Sequence, residues 1–199
     1  MTGAPSSARK PAARLAVRAV AAVLAAALGA IPIRGGAEGV LTPGVAAGGV
    51  PLESVVDSVR AILGAPSSEL KDPTNPHIII QRWESRCLGA RYTATGNLVA
   101  LDVWTDLGDK CAGAAYLADG ARGQRITFGS MRADVKAAFG YEPSRVLRAL
   151  TFSIFVYDDQ GIAFYVRDDG MRRGLVDAMT VFRRGESRRV WRPESWGGR

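Results

Sequence analysis

The sequence predicts an α+β protein built from tandem duplicated units, each a helix followed by a three-stranded antiparallel sheet, with both helices on one sheet face. Two observations carry that expectation. The first is an ungapped internal match: VPLESVVDSVRAILG at 50–64 aligns with ITFGSMRADVKAAFG at 126–140, pairing Ser54 with Ser130, Val59 with Val135, Ala61 with Ala137 and Gly64 with Gly140. The second is that two further matches follow in the same order. WESRCLGARY at 83–92 faces YDDQGIAFYV at 157–166, and GNLVALDVW at 96–104 faces GLVDAMTVF at 174–182. The offset drifts only from 76 to 74 to 78 residues, and periodicity of this kind outranks any local motif in deciding a fold.

Taken in chain order, residues 1–33 read as a signal peptide or an N-terminal anchor. Arg9, Lys10, Arg14 and Arg18 precede fifteen uncharged residues, Ala19 to Ile33. That run is short for a membrane span, which needs about 20 apolar residues, and it fits the basic-then-apolar pattern of a secretory leader. Cleavage after Ala27, Ala30 or Ala47 suits it, and the absence of any cysteine before Cys87 removes a lipid anchor. Residues 34–49 hold six glycines and no amphipathic period, which predicts a disordered linker. The first helix-plus-sheet repeat is expected at 50–110, a connector at 111–125, the second repeat at 126–184 and a basic tail at 185–199.

Charge excludes one function class. The chain of 199 residues carries +7, but the leader holds +4 and the tail +4, which leaves residues 19–182 at −1. A neutral body is not a nucleic-acid-binding core, which would concentrate Lys and Arg on the folded domain. The expected partner is therefore another protein and no nucleic acid, with peripheral membrane contact through the leader or tail as a further option.

Within each repeat, Ser54 and Ser130 are expected N-caps. Val55, Val59, Ile62 and Leu63 fall on one helical face, and Met131, Val135, Ala138 and Phe139 repeat it. Gly64 and Gly140 end the helices. Three β-branched or aromatic runs follow in each unit, the first two joined by short polar connections at Glu84–Arg86 and Asp158–Gln160. Side chains two apart share a sheet face. One face, with Ile78, Ile80, Leu88, Ala90, Leu101, Phe152, Ile154, Ile162 and Phe164, is the expected helix-covered core. The other carries Trp83, Arg91 and Trp104 in the first unit, and Phe155, Tyr157, Tyr165, Arg167 and Phe182 in the second. Aromatics with arginine are the composition of an interface hot spot, so these eight are the candidate binding residues. Cover by the linker, the tail or a loop is the alternative.

A short lead, a capped helix ending in Gly and a GIAFYV strand, as in ITFGSMRADVKAAFG followed by YDDQGIAFYV, resemble the SmpA/OmlA and β-lactamase-inhibitor-like fold family in its tandem arrangement. The resemblance covers residues 50–182 and implies an exported, non-enzymatic protein. It also implies that the open sheet faces of both units form one concave binding surface. The function expected is an exported protein-binding module, with an envelope assembly factor held at a membrane surface as the alternative.

Chemistry offers little else. Cys87 and Cys111 are expected to form a disulfide in an exported chain, with two free buried thiols as the alternative. They and one distant histidine are too few ligands for zinc. His77, at a turn leading into a strand, reads as solvated structure rather than a catalytic base. Asp158-Asp159 and Asp168-Asp169-Gly170 lack calcium-loop spacing and read as turn residues. Nothing asks for a cofactor or a metal, and no enzymatic activity is expected. Trp191 and Trp196, interleaved with arginines in the tail, either touch an anionic partner or pack on the body.

Overall fold

The computed structural model describes residues 38–72, 75–105, 111, 114–120 and 123–192. The leader lies outside them. Gly36–Arg199 is one compact unit, and the described residues form two buried apolar clusters.

Three short strands, β1 (Glu38–Thr42), β2 (Ala46–Ala47) and β3 (Val50–Pro51), precede the first helix, α1 (Val56–Leu63). Strands β4 (Ser68–Asp72), β5 (Asn75–Trp83), β6 (Leu88–Thr93) and β7 (Leu98–Trp104) then form an antiparallel meander. After β8 (Ala115–Asp119) and β9 (Arg125–Thr127) comes α2 (Arg132–Phe139). A second meander follows, of β10 (Arg145–Arg148), β11 (Phe152–Tyr157), β12 (Ile162–Arg167) and β13 (Val176–Phe182). One turn of helix, α3 (Ser187–Val190), follows the last strand.

This overturns the expected three-stranded sheets. Four strands follow each helix, and antiparallel pairing of β13 with β7 joins both meanders into one eight-stranded sheet, β10-β11-β12-β13-β7-β6-β5-β4. The supposed linker and connector form a second sheet, β3-β2-β1-β8-β9, in which β1 runs parallel to β8. The reasons are physical. Strands β4 (SELKD) and β10 (RVLR) are the two edges of the large sheet, and edge strands carry charge that blocks further pairing and hides the hydrophobic alternation. Strand β1 pairs locally with β2 over two residues, but most of its length is paired with β8 far along the chain, which no local pattern reports. Ala47 is fully buried in β2, so cleavage after it would remove two strands of the small sheet.

The helices start one residue later than expected. Val55 and Met131 are the N-caps, each held extended by a bridge to the large sheet, Val55 with Asn97 and Met131 with Leu175. Ser130 instead accepts the Thr127 amide with its hydroxyl (2.9 Å), and Asp134 accepts the Met131 amide (2.8 Å). Both helices end on Gly64 and Gly140 at positive φ.

Helices and small sheet cover one face of the large sheet. Val59, Leu63, Val135 and Phe139 meet Leu41, Val50, Tyr116 and Ile126 there, over Leu88, Tyr92, Leu101, Phe164 and Met179. Trp83, Phe155 and Tyr157 belong to this same core, which corrects their assignment to an open face. Trp83 is 2% exposed and Tyr157 1%. The pairing explains the inversion. Trp83 lies opposite Leu88 and Tyr157 opposite Ile162, and directly paired residues point to one face, so β5 and β11 are turned by one residue from the expected phase.

Both side chains have a structural task. Trp83 donates its indole N–H to the Gly64 carbonyl (3.0 Å), and Tyr157 donates its hydroxyl to the Gly140 carbonyl (3.0 Å). Each satisfies a carbonyl at the end of a helix that would otherwise lack a partner. Burial pushes the Tyr157 hydroxyl up to about 12, and Tyr116 likewise to about 12. The folded state therefore holds these protons where the unfolded chain, with a tyrosine value near 10, releases them. The stability these two groups contribute is full below pH 10 and is lost as pH rises towards 12. Tyr157→Phe is expected to lose about 1 kcal/mol at neutral pH and to fall less steeply above pH 10, both read by urea denaturation.

Candidate site on the second face of the large sheet

Register decides what stands on the other face. Gly89 pairs with Asp102, Asp102 with Thr180, and Tyr165 with Ala178. Neighbouring rows on this face, across the join between the meanders, therefore carry an arginine, a carboxylate, a threonine and a tyrosine. Arg91 grips Asp102 with two nitrogens (Nε 2.7 Å, Nη2 3.2 Å) and reaches Asp72 with Nη1 (3.2 Å). Thr180 donates to Asp102 (2.6 Å), and Tyr165 Oη lies 3.4 Å from both Arg91 Nη2 and Thr180 Oγ1. Burial works against the Arg91 charge, but Asp102, Tyr165 and Asp72 outweigh it and hold the group above its ordinary value. The fork geometry of arginine is what lets one cation satisfy two carboxylates here.

The start of the tail packs on this face. Trp191 is buried against Phe182 (ring centroids 5.5 Å, edge-on) and Tyr165 (6.4 Å), with the Arg91 guanidinium 6.0 Å from its ring. Asp158 accepts the Ser187 amide (2.9 Å), and Arg145 donates to the Ser187 hydroxyl (3.3 Å), which fixes α3 over the sheet. Phe182 is therefore covered by the tail, contrary to its expected place in an open face. Trp196 lies outside the described residues.

What stays open is a cleft of about 380 Å³ beside Trp191, with the hydrogen-bonded Arg91–Asp102–Thr180 cluster as floor. Trp104 forms its wall. The indole lies close to Gly89, where a Cβ would come within 3.3 Å of a ring carbon, and the Arg82 guanidinium sits 5.8 Å from the centroid of the same ring. Ile80 and Tyr165 complete the lining.

Of the eight candidate residues, the structure brings Arg91, Trp104 and Tyr165 together at this cleft. Trp83, Phe155 and Tyr157 are under the helices. Arg167 stands apart near the β12–β13 connection, bonded to Asp177 (2.6 Å) and 3.7 Å from Asp169. Asp102, Thr180, Arg82 and Trp191 were not among the candidates. The first two share an alternation phase with Arg91 and Trp104 and could have been added from the same pattern. Arg82 has the inverted phase of β5, and Trp191 carries no periodic signal.

Cys87 and Cys111 form a disulfide. Such a bond persists in an oxidising compartment, which fits an exported protein. No helix among the described residues is long and apolar enough to cross a membrane. His77 is exposed on β5, its amide donating to Asn75 (3.3 Å). Asp158 and Asp168 serve as acceptors for Ser187, Arg132 and Ser153. Among the described residues no group of three His, Cys, Asp or Glu could hold a metal ion.

No family model matches the chain, and no curated protein matches it. Among solved structures it is similar to the DUF4309 family protein YjgB of Bacillus subtilis, with 14% identity and a TM-score of 0.42 over 66% of this chain and 79% of that one. It is also similar to a cysteine-rich secretory protein, SAV1118, of Staphylococcus aureus, with 8% identity and a TM-score of 0.38 over 65% of this chain and 44% of that one.

Proposed function

We propose that this chain is a secreted or periplasmic, non-enzymatic binding module that grips another protein with the Trp104 cleft. The observation that carries the reading is the Trp104 wall. A partly buried indole, close against Gly89 and with the Arg82 guanidinium over its ring, borders a cleft of about 380 Å³, a size that suits one large partner side chain. Trp, Tyr and Arg at the centre of a preformed hollow are the residues that dominate protein interfaces. The floor supports binding over chemistry. Arg91 and Asp102 are engaged with each other and with Asp72 and Thr180, so they orient the cleft rather than present a free acid, base or nucleophile.

Affinity capture from the exported fraction tests it, with the chain from Gly36 onward as bait. Parent bait should retain a defined protein in stoichiometric amount, and Trp104→Ala should retain at most about a tenth of it. Equal recovery with both baits refutes the reading.

A further inference from the structure

We propose that the end of the large sheet formed by the β10–β11 turn and the β12–β13 connection contacts an anionic lipid surface, taking a headgroup phosphate into the cleft beside α2. This site is separate from the Trp104 cleft and does not depend on it.

The cleft encloses about 640 Å³, and Arg132, Arg148 and Arg173 line it together with Ser153 and Asp168. Its one carboxylate is already satisfied: Asp168 takes Arg132 on one oxygen (2.7 Å) and the Ser153 hydroxyl on the other (2.6 Å). The neighbouring acids are engaged too, Asp169 and Asp177 by Arg167, and Asp134 by the Met131 amide. The side chains of Arg148 and Arg173 make no hydrogen bond or ion pair among the described residues, and both are exposed. Two guanidinium groups therefore face an open hollow with no counter-charge left to them. A phosphate fits that chemistry, because guanidinium forks match its oxygens.

The rim says how the phosphate is presented. Leu150 is 100% exposed at the tip of the β10–β11 turn, and Met171 is 102% exposed in the β12–β13 connection. The two loops are tied together, the Asp168 amide donating to the Thr151 carbonyl (2.9 Å). Met131, at the mouth of the cleft, is exposed as well. A single exposed apolar side chain means nothing. Two fully exposed ones, on linked loops that flank unpaired arginines, match the apolar-plus-basic composition of surfaces that enter the headgroup boundary of a membrane. A protein partner would be better served by a contiguous patch with aromatics at its centre, and no aromatic lines the cleft that these tips flank.

Sedimentation with vesicles tests the proposal, using the chain from Gly36 onward. Phosphatidylglycerol-containing vesicles should bind it and pure phosphatidylcholine vesicles should not. Arg148→Gln with Arg173→Gln should weaken binding about fivefold per arginine. Leu150→Ser with Met171→Ser should weaken it by at least about tenfold. All four positions are exposed or line the open cleft, so thermal melts should match the parent. Trp104→Ala should leave vesicle binding unchanged, which separates this site from the protein-binding cleft. Absence of vesicle binding overturns the proposal, as does equal binding by parent and both double variants. Binding of inorganic phosphate in the cleft, with vesicle binding indifferent to the Leu150 and Met171 changes, overturns the lipid source in favour of a free anion.

Discussion

Arg91→Met is expected to lower the unfolding free energy by about 3–5 kcal/mol, the cost of leaving one side of a buried ion pair without its partner. The size follows from what remains behind. Asp72 is buried and Asp102 nearly so, and both lose their cation at once. Trp191 loses the guanidinium beneath its ring in the same step. Arg91→Lys should recover little, because one ammonium cannot reproduce a two-point grip on Asp102 while reaching Asp72. Adding Asp102→Asn to Arg91→Met should restore part of the loss, since the second change removes one of the stranded charges. Urea denaturation of the parent, Arg91→Met, Asp102→Asn and the double variant gives the cycle. A loss below about 1 kcal/mol in Arg91→Met would mean that the polar cluster is solvated in practice and cannot serve as a rigid floor.

The second large effect is expected from Trp191→Ala, a loss of about 3–5 kcal/mol, the range for truncating a buried aromatic. Trp191 is the lid over Phe182, with Ile78, Ile154 and Val156 in the same cluster. Without the indole, α3 keeps its ties to Asp158 and Arg145 and the buried Val190. The exposed apolar strip should then bind a hydrophobic dye that the parent excludes. A thermal midpoint lower by about 6–20 °C is the corresponding expectation for a chain of this size. Unchanged stability with no dye binding would show that the tail merely rests on the sheet.

The elements that were legible in the sequence are those whose signal is local. Both helices lie where the ungapped match put them and end on Gly64 and Gly140, because apolar spacing and a positive-φ glycine are written within a few residues. The hairpins of β5 with β6 and β11 with β12 were equally readable. The edge strands β4 and β10 were missed because their charged residues serve to stop pairing, which erases alternation. Strands β1 and β8 were missed because their partnership is parallel and distant in sequence. The site suffered from one phase error. Assigning Trp83 and Leu88 to opposite faces is incompatible with the four residues between them, which bring the two into direct opposition across the hairpin. That inversion placed Trp83, Phe155 and Tyr157 on a surface, when two of them hold the helix ends and all three fill the core. Arg91, Trp104 and Tyr165 were read correctly as sharing a face, because β6, β7 and β12 had been given the right phase. Trp191 is the element that no pattern could place, since a single turn of helix has no period to read.

The claim that Trp104 anchors a protein partner is tested most directly by calorimetric titration of the captured partner into three chains: the parent, Trp104→Ala, and Leu150→Ser with Met171→Ser. The account predicts that Trp104→Ala weakens affinity about thirtyfold or more, the loss of a hot-spot residue worth about 2 kcal/mol or more. It predicts parent-like affinity for the loop pair. Parent-like affinity in Trp104→Ala, or a loss confined to the loop pair, would contradict it.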